Sequence, residues 1–213
     1  MPMTSPRRYY EHYWTELEDV TQHDPTTARR RALLLETLER YLRPGEPVLD
    51  LGCGTGMFAS SIQEKGFDAI GADLSEAALA IAQERAPRCT FVAIGPDGSI
   101  PLPENHFAAV WCSEVIEHVL DVVGFLREAH RVLREDGLLI LTTPHHGLVK
   151  NAALAVLAFD RHFDPLGAHV RFFSKASLTR CLAKAGFESL RWTGIGRIPP
   201  VYRTMFVVSR KKV

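Results

Sequence analysis

The chain has 213 residues, 46% apolar and 23% charged, and its 25 Lys and Arg balance 25 Asp and Glu. That length suits one α/β domain, and the neutral balance argues against a nucleic-acid binder driven by counterion release, which needs a basic surplus. Four cysteines, Cys53, Cys89, Cys112 and Cys181, show neither a zinc spacing nor a disulfide framework, and three sit in or beside apolar patterns where a thiol acts as a small hydrophobe.

Residues 1–24 are aromatic and mixed in charge, without the apolar core flanked by basic residues that marks a secretory leader, so a cytoplasmic location is expected. Helical spacing puts Tyr10, Tyr13 and Trp14 on one face, either as a stripe docked on the body or as a lid over a ligand site. Asp24-Pro25 predicts a helix start, with Asp as N-cap and Pro at the first helical position. Leu34, Leu38, Tyr41 and Leu42 supply its buried stripe, and Pro44-Gly45 ends it. Arg29-Arg30-Arg31 reads as a solvated face of that helix.

Strands are expected at 47–51, 67–72, 89–94, 107–112 and 137–143, with helices near 57–65, 75–86 and 121–134. Apolar strand runs separated by amphipathic helices predict a parallel sheet covered on both faces. Residues 144–173 are too long for a plain connection. They leave the fifth strand at the end where ligands bind in open α/β sheets, which makes them a candidate substrate cap. Their apolar run, Ala152 to Phe159, is too short to span a bilayer, so no membrane insertion is expected. Leu148, Val149, Leu154, Val156, Leu157 and Phe159 leave two readings: a helix packed onto the body, or a face lining an aromatic or lipophilic acceptor pocket. In the second reading Leu154 and Leu157 share a side, and Phe163 and Phe172 close the site. After Gly186, 187–192 and 201–209 read as two further strands.

Asp50-Leu51-Gly52-Cys53-Gly54-Thr55-Gly56 is the most informative segment. Glycines at alternate positions between a strand and a helix allow a sharp turn and close approach of a ligand to the backbone. The following helix offers free N–H groups to that ligand. Two cofactors fit the glycines, because Gly54-x-Gly56-x-x-Ala59 satisfies the loose dinucleotide fingerprint and Asp73 stands where a ribose-binding acid belongs in either case. Asp50 separates them. A pyrophosphate would be repelled by that carboxylate, whereas a methionine ammonium, directly or through water, would be drawn to it.

The Asp50–Gly56 pattern resembles the first motif of the class I S-adenosylmethionine-dependent methyltransferases. Ala69–Ser75, Phe107–Val119 and Arg131–Ile140 are similar to the family's later strands, with Phe107-Ala108 in place of an aromatic-Asp pair and Glu135-Asp136-Gly137 in place of Pro-Gly-Gly. His169–Ser174 and Ala185–Phe187 resemble the tail of the ubiquinone-type O-methyltransferase branch, and the likeness covers roughly 47–210. It implies a Rossmann-like, doubly wound, mostly parallel α/β sheet of seven strands, ending in an antiparallel hairpin. It further implies a methyltransferase domain over 25–213, a lid over 1–24 and a cap over 144–173.

The same resemblance assigns S-adenosyl-L-methionine as cofactor and S-adenosyl-L-homocysteine as product. Asp50, Gly52, Cys53, Gly54 and Gly56 would hold the methionine portion, Asp73 with Leu74 the ribose, and Asp97 the adenine amino group. Ser113 and Val115 would lie along its other side, and Tyr10 and Trp14 over it. The acceptor would be a small molecule methylated at oxygen. A hydroxyl acceptor must lose a proton, so His118, His145 and His169 are the candidate bases, with His146 beside them and Glu114 as an orienting group. Methyl transfer requires no metal, and none is expected. N- or C-methylation, an NAD(P) oxidoreductase and a non-catalytic cofactor-binding module remain alternatives, and the protein would act as monomer or homodimer.

Overall fold

Alternating runs of apolar strand formers and amphipathic helix formers give a seven-stranded sheet in this computed structural model, which describes residues 10–14, 24–163 and 168–212. The strands are β1 (Pro47–Leu51), β2 (Asp68–Asp73), β3 (Thr90–Ala93), β4 (Phe107–Ser113), β5 (Leu133–Pro144), β6 (Phe187–Ile195) and β7 (Thr204–Lys211). The helices are α1 (Thr27–Tyr41), α2 (Met57–Glu64), α3 (Glu76–Arg85), α4 (Val122–Val132), α5 (Leu148–Leu157), α6 (Phe159–His162) and α7 (Lys175–Lys184), with a 3-10 turn at Ile116–His118. Strand order is β3-β2-β1-β4-β5-β7-β6, the first five parallel and the last two antiparallel to their neighbours. The winding reverses between β1 and β4, which opens a crevice outside the carboxyl ends of those strands.

Successive side chains of β1 point to opposite faces, so each face builds its own core. Leu49 and Leu51 join Leu126, Ala129, Leu178 and Leu182 from α4 and α7. Val48 joins Leu33, Leu34, Leu38, Phe58 and Ile62 from α1 and α2, with Trp111 fully buried against Phe58 at 5.2 Å between rings. Each such aliphatic side chain contributes about 1.5–3 kcal/mol by leaving water.

Several expectations need correction. The helix begins at Thr27, not at Pro25, because the Asp24 carboxylate accepts from the Thr26 N–H at 2.8 Å and from Arg30 instead of capping the first turn. Tyr41 is 38% exposed under Arg40, and Leu33 takes its expected place in the stripe. Arg30 is no part of a solvated face: it is 3% exposed, while Arg29 and Arg31 are in water. α4 stops at Val132 and β5 starts at Leu133, which pairs with Phe107 before a bulge shifts the register to Ala109 and Leu138. The turn inside this strand is made at Asp136, at φ 58, and Gly137, within the Glu135-Asp136-Gly137 segment.

Within the cap, α5 does not bury itself against the described body, whereas His146 and Phe173 near the cap's two ends are buried. No residue of α5 is buried, and Leu148, Val156 and Leu157 are 86%, 83% and 82% exposed. Phe163 and Phe172 do meet, at 5.1 Å between rings. Cap residues 164–167, and residues 1–9 and 15–23 of the expected lid, lie outside the described residues. Among the described residues no helix is long and apolar enough to cross a membrane.

Candidate active site

The turn after β1 is built from backbone. Gly52 and Cys53 donate their N–H groups to the Ala72 carbonyl at 2.7 and 3.1 Å, tying the turn to β2. Gly52, Gly54 and Gly56 have φ of 78, 50 and 78°, the left-handed region that other residues rarely adopt. A Cβ on Gly52 would strike the Val115 side chain, so glycine is what lets the segment after β4 close against this turn. Cys53 is 7% exposed, and burial pushes its thiol well up, which leaves it a buried apolar group.

Two carboxylates flank the turn differently. Asp73, at the end of β2, accepts the Gly54 N–H and the Ser75 N–H, each at 2.9 Å, and half-buried Leu74 follows it. Burial raises its pKa and these backbone donors pull it back down. Asp50 is 1% exposed beneath the turn, and burial pushes its pKa up to about 8 against the pull of the Ala59 N–H. Its Oδ2 has no partner among the described residues.

Residues 10–14 are helical and cross the crevice above the turn. Glu11 accepts from Ser75 Oγ at 3.0 Å and from the Glu76 and Ala77 N–H groups at 2.7 and 3.1 Å, capping α3 from outside. The Trp14 ring lies 3.0 Å from where a Cβ on Gly54 would stand. Tyr10 sets its ring edge-on to His118 at 6.0 Å. Asp97, by contrast, is exposed and accepts from the Ser99 N–H and Oγ at 3.0 and 2.6 Å, so its hydrogen bonds stay within its own loop and hold its pKa low.

The far wall begins where β4 ends. Ser113 Oγ accepts from Arg30 Nη1 at 2.6 Å and lies 3.2 Å from Thr142 Oγ1. Glu114 follows at φ 54, its carboxyl raised by burial and drawn back by Arg30. Glu117 is 1% exposed; its Oε2 accepts from Thr143 Oγ1 at 3.0 Å and its Oε1 stands 4.0 Å from His118 Nε2. His118 Nδ1 lies 2.9 Å from the Ala168 carbonyl, and its ring is 4.9 Å from that of exposed His169. Desolvation is the main cause that lowers the pKa of both rings, and for His169 the neighbouring His118 adds to it.

Of the candidate bases, His118 and His169 are thus brought together with Glu117. His145 is placed elsewhere: its N–H donates to the Arg203 carbonyl at 2.9 Å and its ring meets Tyr202. His146 is 4% exposed, bonded to Asn151 Oδ1 at 3.1 Å, and burial pushes its pKa down to about 4. Sequence reasoning missed Arg30, Glu11 and Glu117. Arg30 carried a signal, since it falls on the same helical stripe as Leu33, Leu34 and Thr37. Glu117 carried one too, as an acid inside the apolar run Val115–Val119.

A family model described as a methyltransferase domain matches residues 24–191. A probable S-adenosylmethionine-dependent methyltransferase of Mycolicibacterium smegmatis is 35% identical over 144 residues, 68% of this chain and 52% of the relative. A ubiquinone biosynthesis O-methyltransferase of Azorhizobium caulinodans is 31% identical over 165 residues, 73% of this chain and 65% of the relative. The chain therefore spans about half to two thirds of the length of these two relatives. Among solved structures, the Burkholderia thailandensis 1,6-didemethyltoxoflavin-N1-methyltransferase, bound to 1,6-didemethyltoxoflavin and S-adenosylhomocysteine, superposes with a TM-score of 0.73 at 20% identity, covering 100% of this chain and 93% of that one.

Proposed function

The chain belongs to the class I S-adenosylmethionine-dependent methyltransferases, and from that premise we propose that it methylates a small hydroxyl-bearing molecule at oxygen. The observation that carries the cofactor half of this reading is the Asp73 carboxylate, held at the strand end by the Gly54 and Ser75 N–H groups beside a turn with no side-chain bulk. That cradle fits a nucleoside: Asp73 would accept the ribose hydroxyls, and the Gly52–Gly56 backbone would face the amino-acid portion. Asp50 acts from below. Buried with one bare oxygen and its pKa pushed up to about 8, it would be drawn toward its charged form by a nearby ammonium reached through water, not by open contact. Trp14 and Tyr10 would cover the site, as part of a lid.

When bound, S-adenosylmethionine supplies an electrophilic methyl group on its sulfonium. The chain's task is then to orient a nucleophile and keep water out. Oxygen is favoured as the acceptor atom because the wall facing the turn carries His118, His169 and Glu117, groups suited to a hydroxyl that must lose its proton. Similarity to a ubiquinone biosynthesis O-methyltransferase points the same way. Asp97 would serve the adenine only after releasing Ser99.

Calorimetry tests the reading. S-adenosylhomocysteine should bind and NADH should not. Asp73→Asn should weaken S-adenosylhomocysteine by about 1.5–3 kcal/mol, the range for losing hydrogen bonds to a charged acceptor. NADH binding without S-adenosylhomocysteine binding would sink the assignment. A labelled-methyl screen over phenols, quinols and amines then reports the acceptor atom.

A further inference from the structure

Next to the wall after β4, the same edge of the sheet gathers cations without counterions. β5 ends at Pro144 opposite Thr204, and Ile195 at the end of β6 faces that same residue, so the segments leaving these strands lie together. Neither carries an acid: residues 137–159 and 189–213 contain no Asp or Glu. Hydrogen bonds tie them to each other. The His145 N–H donates to the Arg203 carbonyl at 2.9 Å, and the His145 carbonyl accepts from Lys150 Nζ at 2.7 Å. The Arg203 stem lies across Gly196, with Cδ, Cγ and Cβ at 3.1, 3.2 and 3.4 Å from where a Cβ on that glycine would stand. Arg197 follows at φ 57, a conformation uncommon outside glycine. Among the described residues none of Lys150, Arg197 and Arg203 makes an ion pair.

The grouping is unfavourable by itself. Lys150 is half-buried; desolvation lowers its pKa, and the charges of Arg197 and Arg203 lower it further. The opposing pull comes from Glu114, whose carboxyl is already drawn on by Arg30 and Thr142. Charges taken partly out of water are ordinarily paired, so an anion from outside would relieve all three at once.

We propose that Lys150, Arg197 and Arg203 seat an anionic group of the acceptor, a carboxylate or phosphate set apart from the hydroxyl that is methylated. Two guanidinium groups offer planar forks of N–H donors that match such oxygens, and Lys150 adds a point charge with donors left over after His145. The seat stands past the carboxyl end of β5, on the far side of β4 from Asp73, so a molecule anchored there extends toward the wall after β4 and leaves the cofactor cradle untouched. A lipid surface fits less well, because the half-buried Lys150 ammonium is held back against a backbone carbonyl. The acceptor's part in this rests on the proposed methyltransferase function; anion binding does not.

Two pairs of probes, each differing at the anion, test the seat by calorimetry on the chain with and without S-adenosylhomocysteine: protocatechuate against its methyl ester, and hydroquinone monophosphate against hydroquinone. The charged member of at least one pair should bind at least about tenfold more tightly than its neutral partner, the worth of a hydrogen bond between charged groups, and the favoured pair reports which oxyanion is taken. Arg197→Gln and Arg203→Gln should each erase most of that preference, with S-adenosylhomocysteine affinity unchanged. Both arginines are exposed, so these variants probe the seat and not the fold. No preference in either pair, or a preference kept in both variants, overturns the seat. Co-sedimentation with phosphatidylglycerol vesicles that falls in both variants, without a preference in either probe pair, assigns the cations to a lipid surface and overturns it as well. A preference that stands while S-adenosylhomocysteine fails to bind faults the methyltransferase reading and leaves the anion seat in place.

Discussion

Burial beneath the turn gives Asp50 only the Ala59 N–H as a counterweight to desolvation, and its pKa stands near 8 against 3.8 for the free group. Between those two values the folded chain keeps a proton that the unfolded chain has released. Stability from this group is therefore intact below about pH 4 and declines as pH rises toward 8. At 1.36 kcal/mol per pKa unit the decline is on the order of several kcal/mol. Asp50→Asn removes the titration while keeping an oxygen for Ala59. It should raise the ligand-free unfolding free energy at pH 8, flatten its slope between pH 5 and 8, and weaken S-adenosylhomocysteine. Urea unfolding at pH 5, 6.5 and 8 reads the first two; a slope as steep as wild type would show that Asp50 does not ionise in this window.

At the level of elements, the turn between β1 and α2 does two jobs that two of its glycines separate. Gly56 caps α2 in the left-handed region, and a Cβ there would stand 3.0 Å from both Ala82 and Phe91. Gly54 would bring a Cβ only against Trp14. Gly56→Ala should thus cost about 1–2 kcal/mol of left-handed strain plus a repacking cost of about 1–3 kcal/mol. Gly54→Ala should cost the strain and push the Trp14 ring off the turn without disturbing Ala82 or Phe91, yet lose most S-adenosylhomocysteine binding. Denaturant unfolding alongside calorimetry checks both, and equal destabilisation by the two would contradict the division. α1 is pinned to the same region by Arg30, which donates to Ser113 Oγ at 2.6 Å and pairs with Asp24.

For the molecule as a whole, the sheet was legible because each parallel strand is a short apolar run closed by turn-forming residues, and because Asp50–Gly56 and Asp73 announce their turns locally. The start of β5 was not legible, since Leu133 continues the apolar spacing of α4 and only pairing with Phe107 turns it into strand. The cofactor side of the site is sequence-local. The opposite wall is not: His169 meets His118 only through the path of the cap, and nothing in the spacing foretells it. Nor does apolar content reveal whether a cap packs or stands free. Leu157 is 82% exposed, so Leu157→Asp should change unfolding free energy by no more than about 0.5 kcal/mol. A loss of several kcal/mol in urea titration would mean the helix is covered after all.

The short helix over the crevice touches three places at once: Glu11 at the start of α3, Trp14 at Gly54 and Tyr10 at His118. One segment therefore borders both sides of the crevice, so a substitution within it bears on the Asp73 side and the His118 side together, and neither side can be tuned alone from this helix.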